Sequence, residues 1–191
     1  DSLQYLSLWF KQLISESISN CNNICYDLPT PLISFGVTDQ HSQIQAIVEG
    51  PNDKLITFLT VKNFPKTLTI PEIYIESHKF SFLRNQNFQN LIGSEKKSME
   101  YILSKKQKPS YTIEIEEISE VTIGKLIFLL ELQTVFSALI LNTNPFLQPV
   151  LEDGKNYTKV ILNSDEFDKK LSEINKFYSQ KDESIASSFS W

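Results

Sequence analysis

The most apolar window of the sequence, TIGKLIFLLELQTVFSALILN at residues 122–142, limits what the chain can fold into. Lys125, Glu131 and Gln133 interrupt it. A membrane-spanning helix needs roughly 18 or more predominantly apolar residues, and these three polar side chains break that run. We therefore predict a deeply buried helix and no membrane partner.

A second pattern predicts a strand, a helix and a strand within residues 31–61. The segment LISFGV at 32–37 is a short apolar run of the kind found in strands covered on both faces. Asp39 can cap the following helix, which places His41 in its first turn. The turn sequence GPND then precedes KLITFLTV at 54–61, a second buried strand. Such a unit implies a parallel pair with a right-handed crossover.

The remaining elements follow from hydrophobic spacing. The opening segment has helical spacing and ends near Glu16, and residues 87–106 are helical again. SYTIEIEEI at 110–118 alternates apolar and charged residues, which predicts a half-exposed strand at a sheet edge. Ser119 then precedes the long apolar helix.

The C-terminal part differs in character. Two prolines end the long helix, and Glu152 and Asp153 suit the first turn of a new one. Residues 1–163 form the predicted domain, and 164–191 form an extension. That extension begins with an amphipathic helix, and its polar end from Ser179 is predicted to be disordered.

Charge and cysteine content exclude several functions. The net charge of −5 and the pI near 5.1 argue against a nucleic-acid partner. Cys21 and Cys25 follow no secretory leader in this sequence, which favours a reducing cytoplasm. Zinc would need further ligands, and His41 and His78 are the only histidines, so we predict no metal site.

Three segments together resemble the phosphoglucose isomerase family, in its C-terminal sugar isomerase domain. They are residues 9–17 (WFKQLISES), residues 36–61, which contain TDQHSQ and EGPNDK, and residues 123–155, which end in LEDGK. The resemblance implies an α/β fold: a three-layer αβα sandwich with a mainly parallel sheet, here expected to lack its first strand.

The resemblance also implies a reaction. Family members interconvert glucose 6-phosphate and fructose 6-phosphate through an enediolate, with no metal or organic cofactor, as cytoplasmic homodimers. A phosphate-binding loop and an enediolate-stabilising arginine lie in the family's N-terminal domain. Nothing in this sequence resembles them, so that domain is expected as a missing partner. The alternative is a non-catalytic remnant, or an interaction module that responds to sugar phosphates.

Four residues match family site residues. Glu16 matches the base that moves the proton, since a carboxylate can accept it from carbon. His41 matches the histidine that assists ring opening in the neighbouring subunit, and imidazole exchanges protons near neutral pH. Lys155 matches the lysine at the ring oxygen, and Gln148 matches a glutamine near the substrate phosphate.

Without the resemblance, each of these residues also has a structural interpretation, such as a solvated helix end for Glu16. For His41 two places stay open: a surface position at the carboxyl end of the strand at 32–37, or a core position with Ile44 and Val48. Val150 stands where the family favours glycine. A β-branched residue with positive φ there would strain the loop that holds Gln148.

Overall fold

Two parallel strands form the centre of the fold. The structure is a computed structural model. The structure describes residues 3–18, 28–72, 78–147, 149–162 and 168–188. Its elements in chain order are α1 (Gln4–Ile18), α2 (Gly36–Ser42), α3 (Ile44–Glu49), β1 (Ile56–Val61), a 3-10 helix (His78–Leu83), α4 (Phe88–Lys105), β2 (Ser110–Ile115), α5 (Glu120–Ile140), α6 (Pro149–Leu162) and α7 (Asp168–Ser188).

The strands β1 and β2 pair in parallel along their whole length, from Ile56 opposite Ser110 to Val61 opposite Ile115. Parallel neighbours need a crossover connection, and the chain between them contains α4. The strand, helix, strand unit of this chain is therefore β1, α4 and β2, and it lies further along the sequence than residues 31–61.

One face of the sheet carries the main apolar core. Side chains alternate between the two faces of a strand, so Leu59 and Val61 share a face with Ile113 and Ile115. Helices α1 and α5 pack together over this face. The buried centre and its partly buried neighbours are Ile115, Leu126, Leu130, Leu3, Leu6, Trp9, Phe10, Leu59, Val61, Ile113 and Ile123.

The other face of the sheet meets α4, and a side-chain hydrogen bond joins the two. Thr112 points away from the Ile113 side, and its hydroxyl donates to the Glu100 carboxylate of α4 at 2.5 Å. Helix α2 packs in turn against α4. The predicted α/β class with a parallel sheet is confirmed, with helices on both faces. The absence of a first strand stays a prediction.

The predicted strand at 32–37 is wrong. Residues 28–35 have no regular secondary structure, and α2 begins at Gly36. Phe35 has extended dihedrals, φ −99° and ψ 123°, yet no described strand pairs with this segment. A strand is stable only when its backbone N–H and C=O groups find partners in a neighbouring strand, and hydrophobic pattern alone does not supply that neighbour.

The prediction of a deeply buried long helix holds for one side of α5 only. Leu126, Leu130, Thr134 and Ala138 are buried, whereas large apolar side chains on the opposite side are exposed. In the described part of the chain, α5 is also the one helix long and apolar enough to cross a membrane, judged by length and composition alone. Within this chain, 22% of its apolar window is buried. Core helices of soluble proteins share that composition.

Several other sequence predictions can be compared directly. Helix α1 ends close to Glu16, α4 matches residues 87–106, and β2 matches the predicted strand. Helix α7 continues to Ser188, so the prediction of disorder from Ser179 is wrong as far as that residue. The two cysteines lie outside the described residues, and the domain boundary at 163 stays a prediction.

Candidate functional site

Glu16 lies in the last turn of α1. The Gln12 side-chain amide, one turn earlier, donates to a Glu16 carboxylate oxygen at 2.8 Å. Glu16 is half-buried, and the next two residues, Ser17 and Ile18, are buried. The packed end of the helix therefore holds the carboxylate in a partly shielded position, which suits a group that must meet a ligand at a defined point.

His41 lies in the last turn of α2, so the prediction of a first-turn position is wrong. The helix begins three residues before Asp39, and the Asp39 carboxylate instead reaches back to its start. It accepts from the Phe35 backbone N–H at 2.6 Å and from the Ser42 hydroxyl at 3.1 Å. The Phe35 hydrogen bond is the main reason that the pKa of Asp39 lies below its ordinary value.

His41 is exposed to solvent, so the core position with Ile44 and Val48 is wrong. The alternative placed His41 at the surface, as observed, but at the end of a strand that the described chain does not form. No hydrogen bond or ion pair to its imidazole is present within the described residues. The ring is therefore available to an incoming ligand or to a second molecule.

Lys155 is exposed on α6 and pairs with Glu152, with 2.8 Å between Nζ and Oε1. The hydrogen bond to Glu152 raises the pKa of Lys155, and the same bond lowers the pKa of Glu152. Gln148 lies outside the described residues. Val150 lies in the first turn of α6, where the helical backbone has negative φ, so the positive φ expected at this position is wrong.

The elements that carry Glu16 and His41 lie on different layers. Helix α1 packs with α5 over the apolar face of the sheet, whereas α2 packs against α4, which contacts the other face. Helix α6 packs with α7. Within one copy of the described chain, Glu16 and His41 are thus carried by helices that pack against different elements.

One polar cluster was missed by sequence reasoning. Lys62 and Glu116 directly follow β1 and β2, and their charged groups meet at 2.9 Å, with the Asn63 amide 3.4 Å from the same carboxylate. The hydrogen bond to Glu116 raises the pKa of Lys62. Polar residues just after two parallel strands were the available signal, because the carboxyl ends of such strands meet at one edge.

The chain matches a known protein family over most of its length. The family model for phosphoglucose isomerase matches residues 1–182. The chain belongs to the phosphoglucose isomerase family. This membership confirms the resemblance found in the three sequence segments.

Individual family members agree. The chain is 37% identical to the glucose-6-phosphate isomerase of Carboxydothermus hydrogenoformans, over 92% of this chain and 39% of that protein. It is 35% identical to the glucose-6-phosphate isomerase of Methanocaldococcus jannaschii, over 81% of this chain and 37% of that protein. A crystal structure of a hypothetical protein from Thermus thermophilus superposes with a TM-score of 0.74 at 29% identity, covering 85% of this chain and 39% of that one.

The chain thus spans about two fifths of the length of the phosphoglucose isomerases that it matches. Both sequence relatives have the name glucose-6-phosphate isomerase. The exposed His41 and Lys155 and the half-buried Glu16 are the family-matched residues whose side chains the structure describes.

Proposed function

We propose that this chain carries the proton-transfer and ring-opening groups of a glucose-6-phosphate isomerase. The observation that carries the proposal is the family match over residues 1–182, together with relatives that bear this enzyme's name. The substrates would be glucose 6-phosphate and fructose 6-phosphate. The chain would act together with the remaining, larger part of a full-length family enzyme.

The proposed chemistry has two stages. In the first, the sugar ring opens: His41 takes the proton of the anomeric hydroxyl as the bond between C1 and the ring oxygen breaks, and Lys155 gives a proton to that oxygen. A proton then returns from His41 to Lys155 through solvent. Glu152 favours the protonated form of Lys155, which supports its role as a donor. In the second stage, Glu16 removes the proton from C2 and returns it to C1 through an enediolate, while the proton of the C2 hydroxyl moves to the C1 oxygen, so that no net proton is consumed. Gln148 would bind the substrate near its phosphate end, without supplying the phosphate-binding loop.

Placement of the residues supports a homodimeric site. Glu16 and His41 are carried by helices on different layers, and the His41 imidazole faces solvent. A neighbouring subunit could therefore receive His41 beside its own Glu16. The phosphate-binding and enediolate-stabilising groups would come from the remainder of the enzyme, in the cytoplasm and without a cofactor.

Glu16→Gln in a full-length isomerase that contains this segment tests the assignment. The amide keeps the shape of the side chain but cannot accept a proton. We expect exchange of the C2 proton of glucose 6-phosphate with solvent to fall by about 100-fold or more, the usual range for loss of a general base. Binding of the sugar phosphate should persist.

Glu117→Gln is a matched control, because Glu117 is exposed in the loop before α5. This variant should exchange protons at the unsubstituted rate. Near-normal exchange in Glu16→Gln would show that another group is the base. Sugar-phosphate binding without exchange in the unsubstituted enzyme would favour a non-catalytic module.

A further inference from the structure

Helix α5 is apolar on two opposite sides, and only one of them is covered. Residues two positions apart on a helix are separated by about 200°. The row Leu126, Leu130, Thr134 and Ala138 faces the core, so the row shifted by two positions faces away from it. This outer row of α5 consists of Phe128, Leu132, Phe136 and Ile140, whose exposed fractions are 62%, 38%, 58% and 84%.

Such a helix is stable in water when both sides are covered. The outer row is part of a wider apolar surface, since Val121 and Leu139 on the same side are 66% and 63% exposed. Isolated exposed apolar residues are common on soluble proteins, but a continuous row along several turns of one helix marks an interaction surface.

The chain just after α5 is also apolar and exposed. Phe146 and Leu147, just after α5, are 81% and 52% exposed, and Gln148 follows them directly.

We propose that the outer row of α5 is the docking surface for the part of a phosphoglucose isomerase that this sequence does not span. The inference rests on the proposed function. The Carboxydothermus relative and the Thermus structure each contain more than half of their length outside the matched region. In such proteins the unmatched part belongs to the same molecule, and its high effective concentration favours it over a second copy.

Lys125 adds a chemical requirement. It is exposed and lies on the same side of α5 as Phe128 and Leu132. Burying an ammonium group without a partner is costly, so the docked segment should offer Lys125 a carboxylate or a carbonyl oxygen, or leave it at the rim.

The test uses the 191-residue chain co-expressed with the unmatched part of the Carboxydothermus isomerase, and measures their binding affinity. Phe128→Glu places a charge in the outer row, and Phe177→Glu on α7 is a matched control because its ring is 61% exposed. We expect Phe128→Glu to weaken binding by about 30-fold or more, as for a central interface residue. Phe177→Glu should bind like the unsubstituted chain, and circular dichroism should show the same helix content in all three proteins.

Three results would overturn the docking proposal: no binding by the unsubstituted chain, equal weakening by both variants, or no effect of Phe128→Glu. Self-association of the chain that is abolished by Phe128→Glu, without binding of the isomerase part, would identify a second copy as the occupant. The complex could be weakened by Phe128→Glu and yet fail to exchange the C2 proton of glucose 6-phosphate with solvent. That result would refute the proposed function and leave the docking proposal standing.

Discussion

Asp39 organises the start of the helix that carries His41. Its carboxylate accepts from the backbone N–H of Phe35, the residue just before α2, and from the Ser42 hydroxyl. These bonds join both ends of a seven-residue helix, and so short a helix gains little from its own backbone. The position of the imidazole therefore depends on an aspartate two residues away.

The lowered pKa of Asp39 gives a pH dependence with a definite sign. A carboxyl group whose pKa is lower in the folded state stabilises that state above its ordinary pKa of 3.8. The contribution is lost as the pH falls through the lower folded value. We expect the Phe35 amide to lose protection from hydrogen exchange over this range, measured by NMR.

Asp39→Asn should remove most of this pH dependence, because the amide does not titrate. Asp153→Asn, on exposed α6, is the control and should leave the Phe35 amide unchanged. A Phe35 amide with the same pH profile in Asp39→Asn as in the unsubstituted chain would contradict the assigned hydrogen bond.

At the scale of elements, α5 shows how a local signal starts a helix. Ser119 has extended dihedrals, and its hydroxyl accepts from the Thr122 backbone N–H at 3.3 Å. The first N–H groups of a helix have no partner within it, and a serine at this position satisfies one of them. The sequence prediction that Ser119 precedes the helix is confirmed.

Ser119→Ala should lower the free energy of unfolding by about 1 kcal/mol, the usual contribution of a serine cap. Urea denaturation followed by circular dichroism measures this difference. Ser98→Ala, on the exposed side of α4, is the matched control and should be neutral or slightly stabilising, since alanine favours the helix. Equal stability of the two variants would show that the cap contributes nothing.

At the scale of the whole molecule, the described chain has a buried apolar core, and large apolar side chains outside that core are exposed. A parallel sheet is normally covered on both faces and extended by further strands, yet the described sheet has two strands. The exposed outer row of α5 is a second sign of the same situation. The two-stranded sheet and the exposed outer row both fit a chain that spans about two fifths of the length of its family relatives.

We predict that the 191-residue chain alone has no measurable isomerase activity. The groups proposed here lack a phosphate anchor and an enediolate-stabilising cation, and positioning can supply about 7–11 kcal/mol of such a barrier. A coupled assay with fructose 6-phosphate measures the rate, and a full-length family enzyme serves as the positive control. Turnover by the chain at the level of ordinary enzymes would contradict this prediction.

The sequence by itself determined the elements whose signals are local. Helical spacing in α1 and α4, the alternation in β2 and the Ser119 cap each depend on residues within a few positions of one another. Three segments were also enough to find the family, because short groups of site residues survive as recognisable motifs. Glu16, His41 and Lys155 were named in this way, and their assigned roles stay proposals.

Only the tertiary structure decided what depends on a neighbour. The segment at 32–37 has the composition of a strand, but backbone hydrogen bonds need a second strand, and the described part of the chain provides none for it. Likewise, composition could not show which side of α5 is covered, since both sides are apolar. Pairing and burial are properties of the elements that surround a segment, so they become visible only when the chain is folded.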